Sequence, residues 1–156
     1  MLNSYTIYTD GSDFKKTTRR LGTGGIIIDN NTKEIIGQFS EELDRNQIMA
    51  SYGTSECSNP FAEMMAVKVA LMKFASLIEG KALIILKADY IGVKEWNTGH
   101  WKTKEPYIKK IKEEIQDIIN HSPWTVDFQW VKGHQSLMSD DAKYNNMVDK
   151  LAKGEL

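Results

Sequence analysis

The order of hydrophobic patterns along the 156 residues predicts an α/β fold, a mixed sheet with helices on its faces. Three strand-like segments open the chain. A long stretch with helical spacing then leads into Ala82-Leu83-Ile84-Ile85-Leu86, an apolar run too short for a helix and suited to a strand covered on both faces. A strand–helix–strand connection of that length reads as a crossover between parallel strands. Composition agrees: 41% hydrophobic and 26% charged residues exclude disordered and collagen-like classes. The length predicts a single domain, 1–156, able to bury roughly 70% of its unfolded surface.

Residues 5–9 predict the first strand, and Asp10-Gly11-Ser12 predicts an abrupt exit from it into a turn. Gly22-Thr23-Gly24-Gly25 leads into Ile26-Ile27-Ile28. Turn formers at 29–32 follow, and 34–39 resumes a strand pattern, so a hairpin is expected. Residues 41–58 are polar with scattered Ile48, Met49 and Tyr52, a loop with room for one helical turn. Ser58-Asn59-Pro60 offers a capping hydroxyl and a proline at the first helical position. Phe61, Met65, Val69, Leu71, Phe74, Leu77 and Ile78 then recur at helical spacing, and Gly80 is a left-handed cap candidate. After the strand at 82–86 come a short helix over 91–96 and a break at 97–100. A second helix over 105–119 carries lysines on its outer face, a strand follows over 125–131, and a last helix runs from about 144 to 153.

A net charge of −1 excludes a protein that holds nucleic acid mainly by bulk charge, and leaves room for a basic groove balanced by an acidic pocket. The single Cys57 rules out an intramolecular disulfide and a thiolate metal site, which fits a reducing cytosol. There is no basic-then-apolar leader, and no apolar run approaches the ~20 residues that span a bilayer. A soluble cytoplasmic protein without a membrane partner is expected.

If strands one and four lie side by side and parallel, Asp10 and Asp89 both sit at carboxyl ends, the edge where α/β sheets bind ligands. Glu63 in the first turns of the long helix and Asp149 on the edge of the last helix's apolar face could join them. Each has a plainer role alone: Asp10 in a turn, Glu63 complementing the helix dipole, Asp89 as an N-cap, Asp149 paired with Lys153 at i+4. Together, four like charges converge only around something cationic. Oxygen-only donors suit Mg²⁺ or Mn²⁺ rather than zinc. A pair of such ions ~4 Å apart is the arrangement used for in-line attack at phosphodiesters.

Five segments sharpen this reading. They are Tyr8-Thr9-Asp10-Gly11-Ser12; Ser58-Asn59 with Glu63 four residues after the asparagine; Lys87-Ala88-Asp89; Trp130-Val131-Lys132-Gly133-His134; and Asn145-Asn146-Met147-Val148-Asp149-Lys150-Leu151-Ala152. In these, and in their order over nearly the whole chain, the sequence resembles the type 1 ribonuclease H family. The resemblance implies a five-stranded sheet of order 3-2-1-4-5 flanked by helices. It implies cleavage within the RNA strand of RNA–DNA hybrids with two Mg²⁺ ions, or Mn²⁺ in their place, leaving 3′-hydroxyl and 5′-phosphate ends. The implied metal ligands are Asp10, Glu63, Asp89 and Asp149, with Asp10 bridging both ions. His134, on a loop hinged at Gly133, is implied to assist proton transfer or product release. Gly11, Ser12 and Asn59 match positions that contact the RNA strand and its 2′-hydroxyls, the group that separates RNA from DNA. Beyond the motifs, Lys15, Lys16, Arg19 and Arg20 lie close to Asp10 in sequence and are candidates for phosphate contacts. Trp101, beside Lys102 and Lys104, is a candidate for stacking on the substrate backbone; the competing reading, which weighs most for Trp96, is that Trp96 and Trp101 pack the two helical pieces together. A monomer is expected.

The chain also departs from the family pattern. Tyr90-Ile91-Gly92-Val93 stands where many members have Ser-Gln-Tyr-Val, and Pro60 replaces a second asparagine. The stretch from His134 to Asp149 is longer than usual, and its Asp140 and Asp141 compete with Asp149 as fourth ligand. The basic protrusion of some members is shortened to Trp96, His100, Trp101, Lys102 and Lys104. No N-terminal hybrid-binding domain is expected, because the catalytic pattern starts at residue 6. Two other readings stay open: a nuclease or recombinase of the same fold acting on DNA, and a binding module that kept the fold without the metals.

Overall fold

In the computed structural model, which describes residues 3–13, 20–55, 57–133 and 139–155, each expected strand and helix is present. β1 (Asn3–Asp13), β2 (Arg20–Asp29) and β3 (Ile35–Asp44) are followed by α1 (Arg45–Ser51) and the long α2 (Asn59–Leu77). Then come β4 (Ala82–Ala88), α3 (Ile91–Asn97), α4 (Pro106–Asn120), β5 (Trp124–Trp130) and α5 (Asp140–Ala152). The sheet has five strands in the order β3-β2-β1-β4-β5. β1 pairs antiparallel with β2 and parallel with β4, and β4 pairs parallel with β5. Asp10 and Asp89 therefore do lie at neighbouring carboxyl ends.

Both faces of the sheet are covered, which is why β1 is buried without a break from Tyr5 to Asp10. Tyr5 and Ile7 point into the larger core with Phe61, Met64 and Phe74 of α2 and Ile111 and Ile115 of α4. Tyr8, Ile26 and Ile28 face the other way and pack on Val148 and Leu151 of α5. Each fully buried large aliphatic side chain of this kind contributes about 1.5–3 kcal/mol by leaving water.

Three local expectations change. The chain does not turn at Asp10: β1 continues to Asp13, with Asp10 opposite Gly24, Gly11 opposite Thr23 and Ser12 opposite Gly22. Ladder hydrogen bonds to a glycine-rich partner strand override the turn preference of Asp-Gly-Ser. Within 41–58, residues 45–51 form a helix capped by Asp44, whose carboxylate accepts from the Gln47 amide at 3.1 Å. This helix buries none of its residues, so it left no apolar periodicity to read. Finally, α5 begins at Asp140, four residues before the expected start, because the Ser139 hydroxyl caps it and accepts from the Ala142 amide at 3.1 Å. The α2 start is as expected, with the Phe61 amide donating to the Ser58 hydroxyl at 3.3 Å.

Two glycines set how closely helices approach the sheet. A Cβ on Gly11 would stand 2.1 Å from the Ala62 carbonyl oxygen and 2.5 Å from the Glu63 nitrogen. One on Gly24 would stand 2.5 Å from the Ala152 nitrogen and 2.7 Å from the Val148 oxygen. Bare backbone at these points lets α2 and α5 press directly onto β1 and β2. Among the described residues, no helix is long and apolar enough to cross a membrane.

Gly24→Ala is expected to lift α5 from the sheet and cost about 1–3 kcal/mol, the usual scale for overpacking. A urea melt should show a lower midpoint with an unchanged slope.

Candidate active site

The close contact at Gly11 delivers Glu63. The Gly11 amide donates to Glu63 Oε1 at 2.8 Å, while Glu63 Oε2 is buried with no hydrogen-bond partner. Asp10 projects from β1 beside it, also buried, and Asp89 follows the last residue of β4. Oxygens of these three carboxylates all lie within 4.8 Å of one another. The close contact at Gly24 brings in α5, and Asp149 joins Asp10, Gly11, Ser12, Asn59, Pro60, Glu63, Asp89, Tyr90, Gly133 and Lys153 around a cleft of about 610 Å³.

The electrostatics follow from burial. Burial raises the Asp10 pKa to about 7; Glu63 partly offsets this, and Asp89 and Asp149 add to it. Burial also pushes Glu63 well above the usual carboxylate range, reinforced by Asp10 and Asp89. Such a cluster stores repulsion that a cation would relieve. The fit to a hard divalent ion rests on this donor set, all carboxylate oxygens, and on the orphaned Glu63 Oε2, a buried acceptor aimed at nothing in the protein.

Asp149 stands where the sequence places it, yet it is also paired with Lys153 at 3.1 Å, so the plain i+4 contact and the cleft position hold together. Asp89 is not a helix cap: Tyr90 is the N-cap residue of α3, and it makes no side-chain cap bond. Neither Asp140 nor Asp141 lines the cleft, and Asp141 Oδ1 accepts from the Tyr8 hydroxyl and from the Lys87 ammonium at 2.8 Å. Partial burial alone would raise its pKa, but these two bonds prevail and hold it below the ordinary value. Asn59 lines the cleft, and its side-chain oxygen accepts from the Asp13 amide at 2.9 Å. Trp101 is 41% exposed and stands edge-on to Trp96 at 6.1 Å, apart from the cleft lining. Arg20 is paired with Glu42. Lys15, Lys16, Arg19 and His134 lie outside the described residues.

Sequence reasoning passed over several neighbours. Asn145 is buried and its amide reaches Asp89 Oδ2 at 3.5 Å. The Trp130 indole donates to the Asp89 carbonyl at 2.9 Å. Asn145, Asp149 and Lys153 repeat at i, i+4 and i+8, a stripe on one helix face that the spacing alone could have flagged. Gly133 needs to be small for a further reason, since a Cβ there would stand 3.0 Å from Asp89 Oδ2.

The sequence is matched by the RNase H family model over residues 2–156. The chain belongs to the ribonuclease H family. A search of curated protein sequences gives no match. Among solved structures, ribonuclease H1 from Halobacterium salinarum superposes with a TM-score of 0.74 at 18% identity, covering 97% of this chain and 96% of that one. The prototype foamy virus ribonuclease H domain gives 0.70 at 20% identity, covering 99% and 95%. LC11-RNase H1, isolated from compost and solved with an RNA/DNA hybrid, gives 0.68 at 19% identity, covering 96% and 97%. At these identities the likeness is one of fold, and the family assignment rests on the matched model.

The raised carboxylates have a consequence for stability without metal. Between pH ~4, near the unfolded pKa, and pH about 7, the folded state holds more protons than the unfolded one. Stability in EDTA should therefore fall as pH rises through this window. Urea melts at intervals across it should show the decline, and Asp10→Asn should flatten it.

Proposed function

We propose that this ribonuclease H hydrolyses the RNA strand of RNA–DNA hybrids at the cleft bounded by Asp10, Glu63, Asp89 and Asp149. The convergence of three of these carboxylates within 4.8 Å at one sheet edge is the observation that carries the reading. The four acids would hold two Mg²⁺ ions, with Mn²⁺ as the alternative. Bound there, the ions supply an acidified water as nucleophile and neutralise charge on the departing oxygen, giving 3′-hydroxyl and 5′-phosphate ends.

The chain's own residues prepare that chemistry. Asp10 faces the other acids from the central strand, so its carboxylate would hold the ions together with theirs. Glu63 is fixed by the Gly11 amide through one oxygen and keeps the other for a ligand. Asn145 and the Trp130 indole hold the Asp89 residue from behind, the kind of outer contact that orients a ligand. Gly11 and Ser12 line the cleft, where they would meet the RNA strand. Asn59, its oxygen tied to Asp13, is left with an amide that can donate to a 2′-hydroxyl. His134, next to the cleft-lining Gly133, would move a proton between solvent and the scissile phosphate. Lys15 and Lys16 would meet phosphates, and Trp101 the backbone beyond the cleft. A cytoplasmic monomer is the working state, supported by the single buried cysteine and the self-contained site.

The test is digestion of end-labelled RNA–DNA hybrid, duplex DNA and duplex RNA with and without Mg²⁺. Only the RNA of the hybrid should be cut, and only with metal. Asp10→Asn and Asp89→Asn should each lose about 10²–10³-fold or more in rate, while His134→Ala should lose about 10²-fold because water partly replaces the imidazole. Degradation of duplex DNA with the hybrid intact would instead mark a DNA nuclease of the same fold.

A further inference from the structure

Below the cleft lies a second polar cluster that the chemistry above does not use. Asp141 Oδ1 accepts from the Tyr8 hydroxyl and from Lys87 Nζ at 2.8 Å. The Lys87 ammonium also lies 5.7 Å from the Tyr8 ring centroid. These residues repeat the site one step down each element. Tyr8 precedes Asp10 by two positions on β1, and Lys87 precedes Asp89 by two beyond the register that pairs Tyr8 with Lys87. Two residues along a strand return to the same face. On α5, Asp141 lies one turn before Asn145 and two turns before Asp149, on one side of the helix.

Farther along α5 the contact with this face is apolar through Val148 and Leu151, with the Ser40 hydroxyl donating to the Leu151 carbonyl at 2.5 Å near the helix's end. These contacts, with the close approach of Val148 and Ala152 to Gly24, seat the C-terminal half of the helix and leave its first turn to be placed by what that turn bonds. Asp141 adds directional, charged bonds at the helix's N-terminal end. The same carboxylate ties the first turn of α5 to β4 through Lys87. Just past β5, the Val131 amide donates to the Ala88 carbonyl at the end of β4 at 3.0 Å.

We propose that Asp141 is a positioning residue whose bonds to Tyr8 and Lys87 set the rotation of α5, and so place Asn145 and Asp149 against Asp89 and Asp10. This rests on the reading that the acids of the cleft bind divalent ions. Lys87 and Asp141 are both partly exposed, with side-chain exposures of 20% and 39%, so their pairing adds little to overall stability. Its effect is on geometry, and geometry is read by the metal.

The experiment titrates Mg²⁺ alone into the full chain by calorimetry, for wild type, Asp141→Asn, Lys87→Met and the double variant, with melting temperatures and hybrid-cleavage kinetics alongside. Asp141→Asn should weaken Mg²⁺ binding about tenfold, the scale of lost outer-shell partners. It should raise the Mg²⁺ needed for half-maximal cleavage by the same factor and leave the KM for hybrid at saturating Mg²⁺ unchanged. Lys87→Met should move the same way by less. The double variant should be no worse than Asp141→Asn, since the two residues act as one unit. Mg²⁺ affinities within twofold of wild type in both single variants overturn the proposal, as does a loss of activity that tracks melting temperature alone. If Asp141→Asn does not fold, Lys87→Met decides by the same criteria. A wild type that binds Mg²⁺ and cuts hybrid, with insensitive variants, overturns the positioning role only; one that does neither overturns the catalytic reading with it.

Discussion

Mutual repulsion among carboxylates is the constraint to which the rest of the molecule answers. Asp10 and Glu63 are buried beside each other with Asp89 in reach, an arrangement that costs free energy in any protein lacking a counter-ion. The acids do not choose this position; the packing of their elements imposes it. Gly11 lets the backbone of α2 touch β1, and Gly24 lets α5 sit on β2, so two helices approach from opposite faces of the sheet and deliver Glu63 and Asp149 to the end of the central strand. The apolar cores on the two faces stabilise the fold around the acids. A cation at the cleft would turn the same repulsion into affinity, which is why the orphaned oxygen of Glu63 is informative.

Much of this was legible in the sequence because it obeys simple periodicities. The β4 run, the Ser-Asn-Pro start of α2 and the isoleucine stripe of α4 each state their element in local terms. What escaped was set by tertiary contact. Asp-Gly-Ser reads as a turn by propensity, yet glycines 22 and 24 sit opposite it and extend the ladder to Asp13. The α1 helix buries nothing and so carries no pattern. The four metal-ligand candidates were found because their motifs occur together. Asn145 lies in a stripe with Asp149 and Lys153 that its spacing marks, but its partner Asp89, just past the end of β4, shows only in the fold.

The segment that departs most from expectation also supports the cleft. Arg45, in the first turn of α1, pairs with Asp13 at 3.0 Å, and the Asp13 side chain is fully buried. Asp13 in turn donates its amide to Asn59. The chain from the end of β3 to the start of α2 is thereby drawn against the end of β1. A buried carboxylate whose second oxygen has no partner is costly, and Arg45 offsets part of that cost. The rim that carries Ser12 and Asn59 is consequently fixed by charge where Pro60 has removed a backbone donor.

The substitution of Tyr90-Ile91-Gly92-Val93 for a more polar run has a physical logic of its own. A Cβ on Gly92 would stand 2.2 Å from the Tyr90 ring, so glycine there makes room for the tyrosine to fold back. Tyr90 then meets Trp96 edge-on at 5.7 Å, and Trp96 meets Trp101 at 6.1 Å. Edge-to-face rings hold one another in defined orientations. The result is a row of three aromatics that starts at the cleft wall and ends in an exposed indole. Under the proposed function this row would offer the substrate strand a stiff aromatic surface in place of the more polar run.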